Sequence, residues 1–232
     1  MLNHYLSRYN SFMNTEYFVH TFDEIANKIA EHGICVIDNF ISQKVITALA
    51  LEIKSLQLET NLHQAGTGAG IATINQTLRG DYIAWLNGGE AYSQSDTVVK
   101  TSIAQKCYFE KMESLRLNLN AHLYLGLFGL ESHLAVYPPG AGYKKHIDRF
   151  NNMQINGDQP LRQISCILYL NEHWEDIFGG QLRVYTNNSS EDFFDITPIG
   201  GRLVTFLSDT FYHEVLPTTQ DRISITGWFL TR

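Results

Sequence analysis

Tyr143-Lys144-Lys145-His146-Ile147-Asp148 is the stretch around which the rest of the chain can be read. Taken as a strand, it sends alternate side chains to one face, so His146 and Asp148 present an imidazole and a carboxylate together. A second imidazole, His213, stands on another strand-like run, and Arg222 follows it nine residues on. Outward from this stretch, the chain beyond Ser132 reads as short strands divided by turn signals. They are Ser132–Tyr137, Tyr143–Asp148, Arg162–Asn171, Gln181–Thr186, Phe193–Thr197, Arg202–Ser208, His213–Leu216 and Ile223–Phe229. Short strands in this number, after a helical half, predict an α+β chain: a double-stranded β-helix, the cupin-like jelly roll, with N-terminal supporting helices packed outside one sheet.

The first half supplies those supports. Phe22, Ile25 and Ile29 recur at helical spacing between about Thr21 and Ala30, and Gly33 ends the run. Ile34-Cys35-Val36-Ile37 is a compact apolar strand. Ser42 can cap a helix carrying Val45, Ile46, Leu49, Ile53 and Leu56, and Tyr108, Met112, Leu115, Leu119 and Leu123 stripe another over about Val98–Leu123. Gly66-Thr67-Gly68-Ala69-Gly70 lacks the preceding strand and βαβ surroundings of a dinucleotide loop, so the polar His63–Gln76 stretch is expected to be a mobile, lid-like loop. With no repeat and no linker rich in Pro, Gly or Ser, one domain is expected over residues 1–232. Residues 1–130 would give helical support and a substrate-covering loop, and 131–232 the jelly-roll core.

Composition narrows the class. Hydrophobic residues at 44% and charged ones at 18% suit a chain with a packed core. A formal net charge of −7 without a basic run argues against nucleic acid as partner. No segment reaches the apolar length of a membrane span, and Met1 to His20 has no cationic start followed by an apolar core, so neither membrane nor secretion is expected. Cys35, Cys107 and Cys166 are far apart, odd in number and set in apolar runs, which predicts buried free thiols and a cytoplasmic setting.

Two histidines and one carboxylate can cap one face of an octahedral metal and leave the other open, an arrangement associated with non-haem Fe(II) oxygenases. A bidentate 2-oxo acid and dioxygen would fill the open positions. Arg222 can meet the far carboxylate of such an acid with two parallel hydrogen bonds, on a hairpin strand expected to pair with the one bearing His213. Alone, Arg222 reads better as a surface arginine pairing loosely with Asp221. Tyr169, in Ile164-Ser-Cys-Ile-Leu-Tyr169-Leu170, either gives its hydroxyl to the same carboxylate or is a core tyrosine.

In this order the residues resemble the prolyl hydroxylase branch of the 2-oxoglutarate- and Fe(II)-dependent dioxygenases, in particular the oxygen-sensing prolyl hydroxylases of animals and their bacterial relatives. The stretches that carry the resemblance are Tyr137-Pro-Pro-Gly-Ala-Gly-Tyr143-x-x-His146-x-Asp148, Cys166-Ile-Leu-Tyr169-Leu-Asn-x-x-Trp174, Gly179-Gly180-Gln-Leu182-Arg183, Ser208-Asp209-x-x-x-x-His213-Glu-Val and Arg222-x-x-x-x-x-Trp228. Arg79-Gly80-Asp81-x-Ile83-x-Trp85 is similar to the segment before that group's substrate-covering loop. The resemblance implies Fe(II) on His146, Asp148 and His213, and 2-oxoglutarate held by Arg222 and Tyr169 with Tyr137 and Leu182 lining its pocket. It implies that Trp228 walls the iron, and that Tyr143, Arg79, Asp81 and Trp85 lie near a bound peptide or hold its loop, with Asp81 paired to Arg162. The implied reaction is prolyl 4-hydroxylation of a protein or peptide, with O2 consumed, succinate and CO2 released, and ascorbate as an optional reductant. A translation elongation factor is one implied substrate. The chain departs from the animal enzymes in a shorter Tyr137-to-His146 stretch and a longer Asp148-to-Arg162 stretch containing Asn151–Asp158, which bears on substrate choice.

Two other readings remain open at this level. One is the same chemistry on another protein residue, a small metabolite or an alkylated base. The other is a jelly-roll binding module without catalysis. Asp148 leaves no ligand position for halide, and the remaining histidines, His133 among them, are read as surface or packing residues.

Overall fold

A computed structural model describes residues 21–66, 74–86, 101–149, 160–186 and 192–232. The readings made for the N-terminus, for Thr67–Gly70, for Val98–Lys100 and for the insertion Asn151–Asp158 lie outside these residues.

The first helix, α1 (Phe22–His32), starts on a capping box: Thr21 accepts from the Glu24 backbone while the Glu24 carboxylate takes the Thr21 N–H. Gly33, at φ 72°, ends it in the left-handed region, where a side chain would strain the backbone and press on Phe211. Strand β1 (Ile34–Ile37) leads to α2 (Gln43–Leu58). Ser42 occupies the cap position of α2 but makes no capping side-chain bond. Two short strands follow, β2 (His63–Gln64) and β3 (Tyr82–Trp85), then α3 (Ile103–Leu123), capped by Ser102. The later strands are β4 (Gly129–Tyr137), β5 (Tyr143–His146), β6 (Leu161–Tyr169), β7 (Leu182–Tyr185), β8 (Phe193–Ile196), β9 (Leu203–Leu207), β10 (His213–Val215) and β11 (Arg222–Thr231).

The strands form two antiparallel sheets, ordered β1-β9-β6-β11-β4-β3-β2 and β5-β10-β7-β8. This is the expected jelly roll, with the larger sheet extended by β1 on one edge and by β3 and β2 on the other. Of these, β2 belongs to the His63–Gln76 stretch expected to be loop, and no strand was expected at β3. Each is too short to show a period-two pattern in sequence, and β3 is held between β4 (Ala84 opposite Leu134) and β2 (Ile83 opposite His63).

Strand parity divides the large sheet into two surfaces. Leu134, Val136, Ile164, Cys166, Leu168, Ile223, Ile225 and Phe229 meet the apolar stripes of the helices, including Ile46, Leu49, Ile53, Met112 and Leu115. The intervening Ala135, Tyr137, Ile167, Tyr169, Val204 and Phe206 pack inward against Leu182, Val184 and Val215 of the small sheet. Burying a large aliphatic side chain contributes about 1.5–3 kcal/mol, so the helix-side layer stabilises the scaffold. The inward layer can then carry polar groups.

Candidate metal centre

The antiparallel pairing of β5 and β10 sets His146 directly opposite His213. Both rings are fixed in the same way. His146 Nδ1 lies 2.8 Å from the Lys144 carbonyl and His213 Nδ1 3.0 Å from the Phe211 carbonyl, so each Nδ1 carries the proton and donates it. Each Nε2 is left with its lone pair. Tyr143 stacks on His146 at 3.6 Å between centroids, and Phe206 meets His213 edge-on at 4.9 Å.

Asp148 arrives differently from expectation. Strand β5 ends at His146, so the carboxylate lies past the strand and not on its face. The next residue fastens it there: the Arg149 N–H donates to the Ser208 carbonyl, and its guanidinium holds Gln163 and Asp209. Asp148 Oδ1 then stands 3.6 Å from His146 Nε2 and 3.8 Å from His213 Nε2, and one donor atom from each of the three residues lies within 4.8 Å of the others. Oδ2 accepts from Ser165 Oγ at 2.6 Å and Trp228 Nε1 at 2.9 Å.

Charge states favour ligation. Burial pushes the His213 pKa down to about 4, helped by repulsion from His146, so this ring is a neutral donor at physiological pH. Burial works against a charged Asp148, but His213, His146 and the Ser165 hydroxyl outweigh it and hold the carboxyl well below the usual carboxylate range. The neutral His213 ring, the His146 Nε2 beside it and one anionic oxygen are a donor set for a divalent transition metal.

At the other end of the barrel Arg222 is 1% exposed. It does not share a hairpin with His213: β11 pairs with β4 and β6 in the large sheet, whereas β10 belongs to the small one. The jelly roll sends the chain across to the opposite sheet between those residues, so Arg222 faces the site from across the barrel. Its Nε donates to the Gly180 carbonyl at 2.7 Å, but Nη2 is buried without a partner, and no carboxylate among the described residues pairs with the guanidinium. Gly180, at φ 69°, permits this approach, since a Cβ there would lie 3.1 Å from Arg222 Cδ. The guanidinium carbon stands 5.1 Å from the Tyr137 ring centre and 5.0 Å from that of Tyr169. Tyr169 Oη is buried and, although near Arg222, makes no well-formed hydrogen bond. Burial pushes both phenols up, so both remain protonated donors. Leu182 closes the floor, fully buried in the inward layer. A buried cation and a buried hydroxyl, both with unused donors, fit the far carboxylate of a 2-oxo diacid.

The mouth is aromatic and basic. Arg79 bridges to Tyr143, lies over its ring at 4.9 Å, and grips Asp81 through Nε at 2.7 Å and Nη2 at 2.9 Å. The expected Asp81–Arg162 pair is absent. Asp81 is buried and saturated by Arg79, only two residues away, while Arg162 pairs with Glu131 at 2.6 Å and covers the Trp228 ring at 3.5 Å. Trp85 is 54% exposed, with its ring against His133.

Three participants escaped the sequence reading: Ser165, Arg149 and His133. His133 is 2% exposed, wedged between Trp85 and Trp228, with Nδ1 unpartnered. Parity offered a signal, because Ser165 shares a face with Tyr169 on β6 and His133 shares one with Tyr137 on β4.

The 2OG-Fe(II) oxygenase superfamily model matches residues 132–230. Human prolyl hydroxylase EGLN3 is 32% identical over 209 residues, covering 86% of this chain and 79% of that protein. Mouse Egl nine homolog 1 is 29% identical over 205 residues; the chain spans about half (47%) of its length. Among solved structures, a Pseudomonas putida prolyl-4-hydroxylase superposes with a TM-score of 0.74 at 36% identity, covering 90% of this chain and 99% of that one. The Trichoplax adhaerens prolyl hydroxylase, solved with a hypoxia inducible factor oxygen degradation domain peptide, gives 0.75 at 27% identity with 90% of each chain covered. Barrel, donor triad and relatives agree, and the chain belongs to the prolyl hydroxylase family within the 2OG-Fe(II) oxygenases.

Proposed function

We propose that this chain is an Fe(II)- and 2-oxoglutarate-dependent dioxygenase that hydroxylates a prolyl residue of a protein or peptide at C4, consuming O2. The observation that carries the reading is Arg222: a guanidinium buried without a counter-charge among the described residues, in the same barrel as the His146–Asp148–His213 cluster. An unpaired buried cation is costly, so the site favours an anion that enters with the reaction.

In this reading Nε2 of His146, Nε2 of His213 and Oδ1 of Asp148 hold the iron. Arg222 and the Tyr169 hydroxyl hold the far carboxylate of 2-oxoglutarate, while Tyr137 and Leu182 pack against its carbon chain and exclude water. When bound, iron and 2-oxoglutarate supply an oxidative decarboxylation that yields succinate and CO2 and delivers oxygen to an unactivated C–H bond. The protein contributes orientation. The carbonyl-bound imidazoles cannot rotate, and Trp228 and Tyr143 bound the space where a pyrrolidine ring would lie. Arg79, buttressed by Asp81, together with Trp85, offers a cationic and aromatic rim for a peptide backbone. The hypoxia inducible factor peptide in the Trichoplax structure supports a peptide over a small metabolite. A translation elongation factor segment is a second peptide to try. Three free thiols and an iron(II) site suit a reducing cytoplasm, and ascorbate is the reductant to include in turnover.

The test is anaerobic addition of Fe(II) and 2-oxoglutarate to the metal-free protein, followed by turnover with proline peptides. A visible charge-transfer band, succinate formation, and gain of one oxygen on the proline peptide but not on its alanine counterpart support the reading. A folded protein without the band would sink it and leave a binding module.

A further inference from the structure

We propose that Ser165 and Trp228 are positioning residues that restrict Asp148 to ligation through a single oxygen. The two face each other in register on adjacent strands, β6 and β11, and both reach the same atom, Asp148 Oδ2, from 2.6 Å and 2.9 Å. An ionised carboxylate oxygen has two lone pairs in plane, and these donors occupy both. Oδ1 alone remains turned towards His146 and His213.

The donors are themselves held. Ser165 Oγ lies 2.9 Å from Ser208 Oγ, both serines being fully buried, and the indole of Trp228 is covered by Arg162 at 3.5 Å and backed by the His133 ring at 5.4 Å. The consequence concerns the number of open metal positions. A carboxylate ligating through both oxygens takes one more coordination position, so a chelating 2-oxo acid and dioxygen could no longer be accommodated together. Holding Oδ2 away keeps that third position free.

This inference rests on His146, Asp148 and His213 being metal ligands. Its test uses the full chain without peptide under anaerobic conditions, so a role of Trp228 in contacting substrate does not enter. Fe(II) affinity is measured by titration, and 2-oxoglutarate affinity for the Fe(II)-loaded protein from the charge-transfer band, in wild type, Ser165→Ala and Trp228→Phe. We expect 2-oxoglutarate affinity to fall about tenfold in each variant with a shifted band, and Fe(II) affinity to change much less. An unchanged band and affinity in both variants would overturn the proposal. So would equal losses of both affinities, which would mean that the donors merely orient the ligand. No band in wild type would instead remove the metal reading itself. Both side chains are buried, so melting of each metal-free variant is recorded, and Trp228→Phe, which keeps an aromatic ring between Arg162 and His133, carries the test should Ser165→Ala not fold.

Discussion

The two ends of the barrel are finished to different degrees. At the metal end every rear-facing atom is engaged: both Nδ1 atoms bind carbonyls and Asp148 Oδ2 takes two donors. At the Arg222 end, Nη2 of that residue and Oη of Tyr169 are buried and make no well-formed hydrogen bond among the described residues. In the proposed reading one end is preorganised for a resident ion, and the other bears a desolvation cost until an anion arrives. The contrast separates what folding completes from what the co-substrate completes.

Breaking the finished end has the largest expected effect. His146→Ala, Asp148→Asn or His213→Ala should abolish succinate formation and Fe(II) binding by anaerobic titration, because three protein ligands leave no redundancy. At the unfinished end, Arg222→Met should raise KM for 2-oxoglutarate at least about 100-fold, the low end expected for two charge-assisted hydrogen bonds of about 1.5–3 kcal/mol each. It should also raise the melting temperature of the metal-free protein, since a buried unpaired charge is replaced by an apolar side chain. A lowered melting temperature would show that the guanidinium is satisfied before co-substrate binds, and the contrast between the ends would fail.

His133 sharpens the comparison through pH. Burial, aided by Arg79 and Arg162, holds its pKa well below the usual histidine value. Below pH of about 6.5 the unfolded chain takes up a proton that the folded ring refuses. Stability therefore falls as pH drops from about 7.5 to 5, and the His133→Met variant should show a shallower decline in melting temperature. Equal slopes would indicate that His133 protonates in place. The smallest effect lies far from both ends: Thr21→Ala should cost about 1 kcal/mol by denaturant melts and leave turnover unchanged.

The sequence made the donor cluster legible because His146-x-Asp148 and His213 form a tight and chemically distinctive pattern, even though Asp148 reaches the site from a bend instead of a strand face. Arg222 was legible as a residue and misplaced as a neighbour, because a short turn suggests a hairpin whereas the jelly roll carries the chain to the other sheet. The Arg79–Asp81 grip went unseen because a pair two residues apart leaves no trace in spacing, and the Arg162–Glu131 contact depends on the register of β6 against β11 and β4. Ser165 and His133 are ordinary residues in sequence. Only the knowledge of which strand face is inward singles them out.

Adjacent residues on β6 have opposite fates, and this bears on how the protein survives its own chemistry. Ser165 faces the His146–Asp148–His213 cluster, while Cys166 faces the helices together with Cys35 and Met112. Among the described residues no sulfur lies in the inward layer. The sheet is thus a shield one backbone thick, and stray oxidant released in turnover without substrate meets Tyr143 or Trp228 before any thiol. Self-inflicted damage should accumulate as hydroxylated rings, with the sulfur on the far side of the wall left reduced.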